Sequence, residues 1–260
     1  MTKTIVHFVG AGPGDAELIT VKGARLLGEA AVVVFAGSLV DRELVRTYAP
    51  EARVWDSAGM NLEETTQVLV EAALAGQRVV RLHTGDPSIY GAIQEQMAEL
   101  DRLGIGYEVV PGVSSAFAAA AALKQELTLP EVTQTIILTR LAGRTPVPER
   151  EKLGELAKAG ATMVIYLSVG MIEKVVAELL QGAYTAETPV AVVAKASWPD
   201  EQIIEGTLAD ITVKVQAVGV AKQALIIVGD VLKARRDGLP ALSKLYDREF
   251  SHGCREGIVT

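Results

Sequence analysis

The sequence predicts an α/β fold of two domains, with a mostly parallel sheet in the N-terminal one and a mixed sheet in the C-terminal one. Three observations carry that expectation. Short β-branched runs alternate with amphipathic helical stretches, the pattern of strands covered by helices. Glycine-bearing turns follow three of the runs and lead into helical segments, which puts them at strand ends where ligands collect in open α/β sheets. The segment Leu141-Ala142-Gly143-Arg144-Thr145-Pro146-Val147-Pro148, with two prolines and a glycine, reads as an extended connector between a strand–helix half and a mixed half.

Taken in order, residues 4–9 form a first strand, followed by Gly10-Ala11-Gly12-Pro13-Gly14-Asp15 and a helix beginning near Leu18. A second strand covers residues 31–35. A helical pattern over 61–75 leads to a strand at 78–82, and a second one over 88–103 leads to a strand at 107–110. Between them lies His83-Thr84-Gly85-Asp86-Pro87, in which Asp before Pro fits a helix N-cap followed by proline at the first helical position. Val110-Pro111-Gly112-Val113-Ser114-Ser115 precedes an alanine-rich helix whose residues 118–122 have little side-chain bulk. Strands at 135–139, 162–167, 190–194 and 224–228, and a helix over 171–180, make up the rest. The run 202–206 follows Trp198-Pro199-Asp200 and suggests an antiparallel hairpin with 190–194. The resulting division is a glycine-loop domain at 1–140, the connector at 141–148, a mixed domain at 149–242 and a polar tail at 243–260.

Composition narrows the function. Hydrophobic residues make up 49% of the 260 and charged residues 22%, a globular balance. One cysteine, Cys254, excludes an intrachain disulfide framework, and with three histidines there is little material for a zinc site; both suit a reducing cytoplasm. The longest apolar run, 116–123, is far short of the roughly 18 residues that cross a bilayer, and the N-terminus reads as a strand, not a signal peptide. A net charge of −7 argues against nucleic-acid binding.

Each loop has a plain reading beside a functional one. The first glycine loop is either a tight turn or a ligand cradle, and it departs from the dinucleotide G-x-G-x-x-G because Pro13 and Gly14 intrude. The second strand also lacks the acid that would hold a ribose, since none occurs before Asp41. Asp86 either caps a helix or faces a charged ligand. Ser114 either caps the alanine-rich helix or, with Ser115, offers hydroxyls to a nucleoside. His83 is a structural histidine at a strand end or a general base. Trp198 and Tyr246 fill a core or an interface, or stack on a flat ligand. No Ser–His–Asp constellation is evident.

In that order, the loops 10–15, 84–87 and 110–115 resemble the signature loops of the tetrapyrrole methylases, and the resemblance runs essentially end to end. Four further segments, 56–64, 138–149, 195–201 and 243–247, resemble the subgroup that methylates C11 of precorrin-4 or its cobalt complex in cobalamin biosynthesis. The resemblance implies two α/β domains, a homodimer, and S-adenosyl-L-methionine bound in a cleft between domains. It implies that Pro13, Thr84, Gly85, Asp86, Ile89, Ser114, Ser115, Leu167, Ala196 and Ala224 line the cofactor site. For a polycarboxylate substrate, arginines able to form bidentate hydrogen bonds are suited, and Arg140, Arg144 and Lys195 are the candidates, each otherwise a surface charge or a domain-bridging group. A nicotinamide oxidoreductase is the alternative from another class, with only the first loop in its favour. An RNA-modifying relative on the same fold is disfavoured by the acidic balance, and a non-catalytic module has no need of several ligand-facing loops.

Overall fold

The computed structural model describes residues 5–239 and 241–258, with the backbone alone at 235 and 236. The chain divides into two compact units. The first runs to Ala118 and takes in Lys195–Asp200; the second comprises Ala119–Ala194 and the chain from Glu201 onward.

In the first unit the elements alternate as β1 (Ile5–Gly10), α1 (Val21–Gly28), β2 (Val32–Phe35), α2 (Arg42–Tyr48), β3 (Arg53–Asp56), α3 (Leu62–Leu74), β4 (Val79–His83), α4 (Ile93–Arg102), β5 (Gly106–Val110) and α5 (Ser115–Ala122), the last of which crosses the division. All five strands are parallel in the order β3-β2-β4-β1-β5. Leu26, Leu27, Leu44 and Val45 of α1 and α2 pack with Val9, Val33 and Leu82 on one face. Leu69, Ala72, Ile93 and Leu100 of α3 and α4 pack with Phe8, Val34 and Val79 on the other. Fully burying one such Leu or Phe contributes about 1.5–3 kcal/mol. The chain therefore leaves β1 toward β2 over one face and leaves β4 toward β5 over the other. Chain direction thus reverses between these neighbours, the kind of switch point beside whose strand C-terminal ends ligands bind in open α/β sheets.

The second unit carries β6 (Ile136–Arg140), α6 (Leu153–Ala157), β7 (Thr162–Tyr166), α7 (Ile172–Leu179), β8 (Pro189–Ala194), β9 (Gln202–Thr207), α8 (Ile211–Val218), β10 (Ala224–Val228) and α9 (Ala234–Asp237). Its sheet has the order β6-β7-β10-β8-β9 and is mixed: β6 and β7 are parallel, and the other three pairs are antiparallel. The expected hairpin is there, with Ala194 opposite Gln202 in β8–β9. Met163, Ile165, Val175, Leu179, Ile211 and Ile226 form the core.

Several boundaries differ from the sequence reading. β6, expected in the first domain, pairs along its whole length with β7, so the first unit ends well before the proline-bearing connector. Proline content marks an extended segment but not which sheet the preceding strand joins. The first helix starts at Val21, where Thr20 Oγ1 accepts from the Gly23 amide at 3.1 Å, and residues 16–18 form only a 3₁₀ turn. α4 starts at Ile93 and not at residue 88, because Tyr90 and Ala92 sit at φ 56° and 49°, left-handed values that interrupt a helix. β3 and α2 escape the pattern; β3 is an edge strand whose Arg53, Val54 and Trp55 are exposed. In contrast α3 begins where expected, on a capping box of Asn61 and Glu64. The tail is tied together by Arg255, which donates to the carbonyls of Leu245, Asp247 and Phe250.

Candidate active site

Three adjacent strands, β4, β1 and β5, end beside one another, and their loops meet at three glycines. A Cβ on Gly10 would lie 2.6 Å from both the Gly112 Cα and the Gly85 carbonyl oxygen; one on Gly112 would lie 2.1 Å from that same oxygen. No side chain larger than hydrogen fits, so the backbones of the three loops touch directly. Gly12 and Gly85 exchange hydrogen bonds: the Gly85 amide donates to Gly12 at 2.8 Å and the Gly12 amide to Gly85 at 3.3 Å. The Ala11 amide donates to the His83 carbonyl at 2.7 Å.

Asp86 completes the junction. One carboxylate oxygen accepts from the Ser88 amide at 2.8 Å and the other from the Gly112 amide at 2.9 Å. The expected helix cap is therefore a cap of the tight turn over residues 87–90, and the same side chain clamps the second loop to the third. Ser114 is buried and its Oγ accepts from the Ala116 amide at 3.3 Å, while Ser115 and Thr84 are half-buried. Ile89 is half-buried next to the exposed Tyr90. Pro13 turns its carbonyl to the indole of Trp198, whose Nε1 donates to it at 2.9 Å. Ala196 is buried, on the Lys195–Asp200 excursion that belongs to this unit.

The neighbouring loop end is ordered by a second carboxylate. Asp56 accepts from the amides of Gly37 and Ala58 and from Arg42, at 3.0, 2.9 and 2.6 Å. These bonds, led by that from Ala58, hold its carboxyl below the usual range. Behind the second loop, His83 is 5% exposed; burial, with a smaller push from the Arg81 cation, lowers its pKa to about 3. An imidazole this enclosed and this weakly basic is poorly matched to general-base work near neutral pH.

The remaining candidates are not among the residues that form this junction. Leu167 follows β7 at φ 54° and is 66% exposed, and Ala224 opens β10; both belong to the second unit. Arg140, expected to meet substrate carboxylates, donates to the carbonyls of Leu141, Thr145 and Pro146 and so braces its own connector. Lys195 is paired with Asp200. Arg144 stands exposed on the connector. Sequence reasoning found the three loops but missed that Gly10, Gly85 and Gly112 touch, and that Trp198 joins the first loop from 185 residues away. Nothing in local spacing signals either contact.

Among the described residues no group of three or more His, Cys, Asp and Glu side chains is arranged to hold a metal ion, and no helix is long and apolar enough to cross a membrane.

Residues 5–212 match the family model of the tetrapyrrole (corrin/porphyrin) methylases. Over 251 residues the chain is 58% identical to a cobalt-precorrin-4 C(11)-methyltransferase of Methanocaldococcus jannaschii, covering 96% of each protein. A solved structure of a cobalt precorrin-4 methyltransferase, a cobalamin biosynthetic enzyme, superposes with a TM-score of 0.85 at 50% identity, over 87% of this chain and 95% of that one. Uroporphyrin-III C-methyl transferase from Thermus thermophilus, solved in complex with S-adenosyl homocysteine, superposes with a TM-score of 0.74 at 32% identity, over 88% and 94%. With the glycine junction, the switch point and this agreement along nearly the whole chain, the protein belongs to the tetrapyrrole methylase family.

Proposed function

We propose that this protein is an S-adenosylmethionine-dependent C-methyltransferase acting at C11 of precorrin-4 or cobalt-precorrin-4 in cobalamin biosynthesis. The observation that carries the reading is the 58% identity over 96% of the chain to a cobalt-precorrin-4 C(11)-methyltransferase, joined to a loop junction suited to the donor.

The fit to the donor rests on the chemistry of the loops. The α-helix after residues 10–15 starts only at Val21, behind a short 3₁₀ turn, so the first glycine loop does not open directly onto the helix N-terminus that holds a dinucleotide pyrophosphate. The site offers backbone amides and carbonyls, hydroxyls from Thr84 and Ser115, and small or apolar surface from Pro13, Ile89 and Ala196. This suits a nucleoside with a positive sulfur and no phosphate. When bound, S-adenosylmethionine supplies a methyl group on that sulfur. The nucleophile is the electron-rich ring carbon of the substrate, so the chain's task is alignment and exclusion of water. Asp86 and the three glycines hold the loops in one geometry, and Pro13, Thr84, Ile89, Ser114, Ser115 and Ala196 form the wall. Leu167 and Ala224, in the second unit, remain cofactor-contact candidates by the family resemblance alone.

For the substrate, Arg144 is the candidate carboxylate ligand. Arg140 contributes by shaping the connector that carries it, and Lys195 stays with Asp200. The single cysteine supports a cytoplasmic location, and the family resemblance supports a homodimer, read by light scattering. The test of function is incubation with donor carrying a ¹³C-methyl group and a panel of precorrins with and without cobalt. Label at C11 is expected; label at another ring carbon, or none, overturns the assignment.

A further inference from the structure

The first glycine loop departs from a dinucleotide loop at Pro13 and Gly14, and the structure gives Gly14 a purpose of its own. A Cβ there would lie 2.2 Å from Cδ1 and 2.3 Å from Nε1 of Trp198, so the indole rests on bare backbone. Its Nε1 donates to the Pro13 carbonyl at 2.9 Å, and the amide of Asp15, on the far side of Gly14, donates to Ser197 Oγ at 3.0 Å. Two successive residues of one segment thus grip two nearby polar groups of the other.

The gripping segment is itself rigidly closed. Lys195 pairs with Asp200 across it, and the Trp198 amide donates to the Lys195 carbonyl at 2.9 Å. Lys195 and Ser197 are held at φ 50° and 69°, a left-handed backbone that side chains with a Cβ adopt at a cost. Ala196 between them is buried. A segment that keeps such backbone through surrounding contacts has one shape to offer.

We infer that Trp198, assisted by Ser197, is a positioning residue for the methyl-donor site: it fixes the Pro13 carbonyl and the Asp15 amide so that the first loop meets the donor already in its binding shape. The inference rests on the donor lying at the three loops. It assigns the indole to the cofactor side, whereas stacking on the macrocycle would make it a substrate residue. A loop ordered before binding costs less affinity to organise, so its loss appears as weaker donor binding with the chemical step intact.

The test uses the full chain with Trp198→Ala, Trp198→Phe and Ser197→Ala. Calorimetric titration with S-adenosylhomocysteine should weaken about tenfold for Trp198→Ala and less for Trp198→Phe, which keeps an aromatic face but loses the N–H donor. The donor KM should rise in parallel, with kcat at saturating donor and the tetrapyrrole KM within about twofold of wild type. Because the chain has two tryptophans, Trp55→Phe leaves Trp198 as the sole indole emitter, and its fluorescence should change on titration with the same midpoint as the heat. This readout and Trp198→Phe carry the test if Trp198→Ala does not fold. Unchanged homocysteine-nucleoside affinity in both Trp198 variants, or a rise confined to the tetrapyrrole KM, overturns the inference. A wild-type protein that binds no S-adenosylhomocysteine would instead overturn the donor-site reading beneath it.

Discussion

Replacing Gly112 by alanine adds one methyl group at the point where three loops touch. That carbon would sit 2.1 Å from the Gly85 carbonyl oxygen and 2.8 Å from the Gly10 Cα. Both neighbours are backbone, so no side-chain rotation relieves the clash, and the loops must part by about 1 Å. Overpacking of this kind costs about 1–3 kcal/mol of stability. The same movement lengthens the 2.9 Å bond from the Gly112 amide to Asp86, a charge-assisted contact worth about 1.5–3 kcal/mol. Displacing a cofactor wall by about 1 Å lowers kcat/KM by a factor on the order of 100. Gly253→Ala is the control, since a Cβ there meets nothing within 4 Å and its φ lies outside the left-handed region. Thermal denaturation and calorimetric titration with S-adenosylhomocysteine, alongside methyl-transfer kinetics, read the three effects. A Gly112→Ala protein with wild-type melting temperature, cofactor affinity and turnover would refute the junction as the organiser of the site.

Three further outcomes follow from the same geometry. Asp86→Asn keeps one acceptor for the loop amides, whereas Asp86→Ala keeps none. Cofactor affinity should therefore fall severalfold for asparagine and by a further factor of about 10 for alanine; equal losses would mean that the charge, not the clamp, matters. His83 is neutral in the folded protein down to about pH 3 but takes up a proton on unfolding below about pH 6.5, and partial burial lowers His7 in the same direction. Their contribution to stability is thus complete above pH 6.5 and declines as pH falls toward about 3. The melting temperature should fall over that window, less steeply in His83→Gln, and an identical slope in the variant would count against the burial argument. Arg144→Ala should raise the tetrapyrrole KM severalfold and leave the donor KM unchanged, measured by varying each substrate at saturating levels of the other.

The loops were legible in the sequence because each is a local signal: glycine after a β-branched run, an acid before proline, paired serines before an alanine run. The strand–helix alternation likewise identified both sheets, and β8–β9 could be paired because the two runs lie close together. What local pattern does not encode is which distant backbones touch. Gly112 reads as a turn residue, yet its lack of a side chain serves Gly10 and Gly85. Arg140 reads as a free cation at a domain edge, yet three connector carbonyls take its donors. α4 reads as starting five residues too early because 88–92 carry helix-compatible side chains while Tyr90 and Ala92 are turned left-handed. β6 reads as the end of one domain because nothing in residues 136–140 says which neighbour they hydrogen-bond.

The span of chain separating Pro13 from Trp198 has a bearing on biosynthesis. The strands of the parallel sheet are all made by Val110, but the indole that covers Gly14 leaves the ribosome only after most of the second sheet has been translated. At 5–20 residues per second the stretch from Val110 to Trp198 takes roughly 4–18 s. A nascent chain thus holds a formed sheet with one bare glycine turn throughout that time, and the donor pocket matures late even though its first half is early.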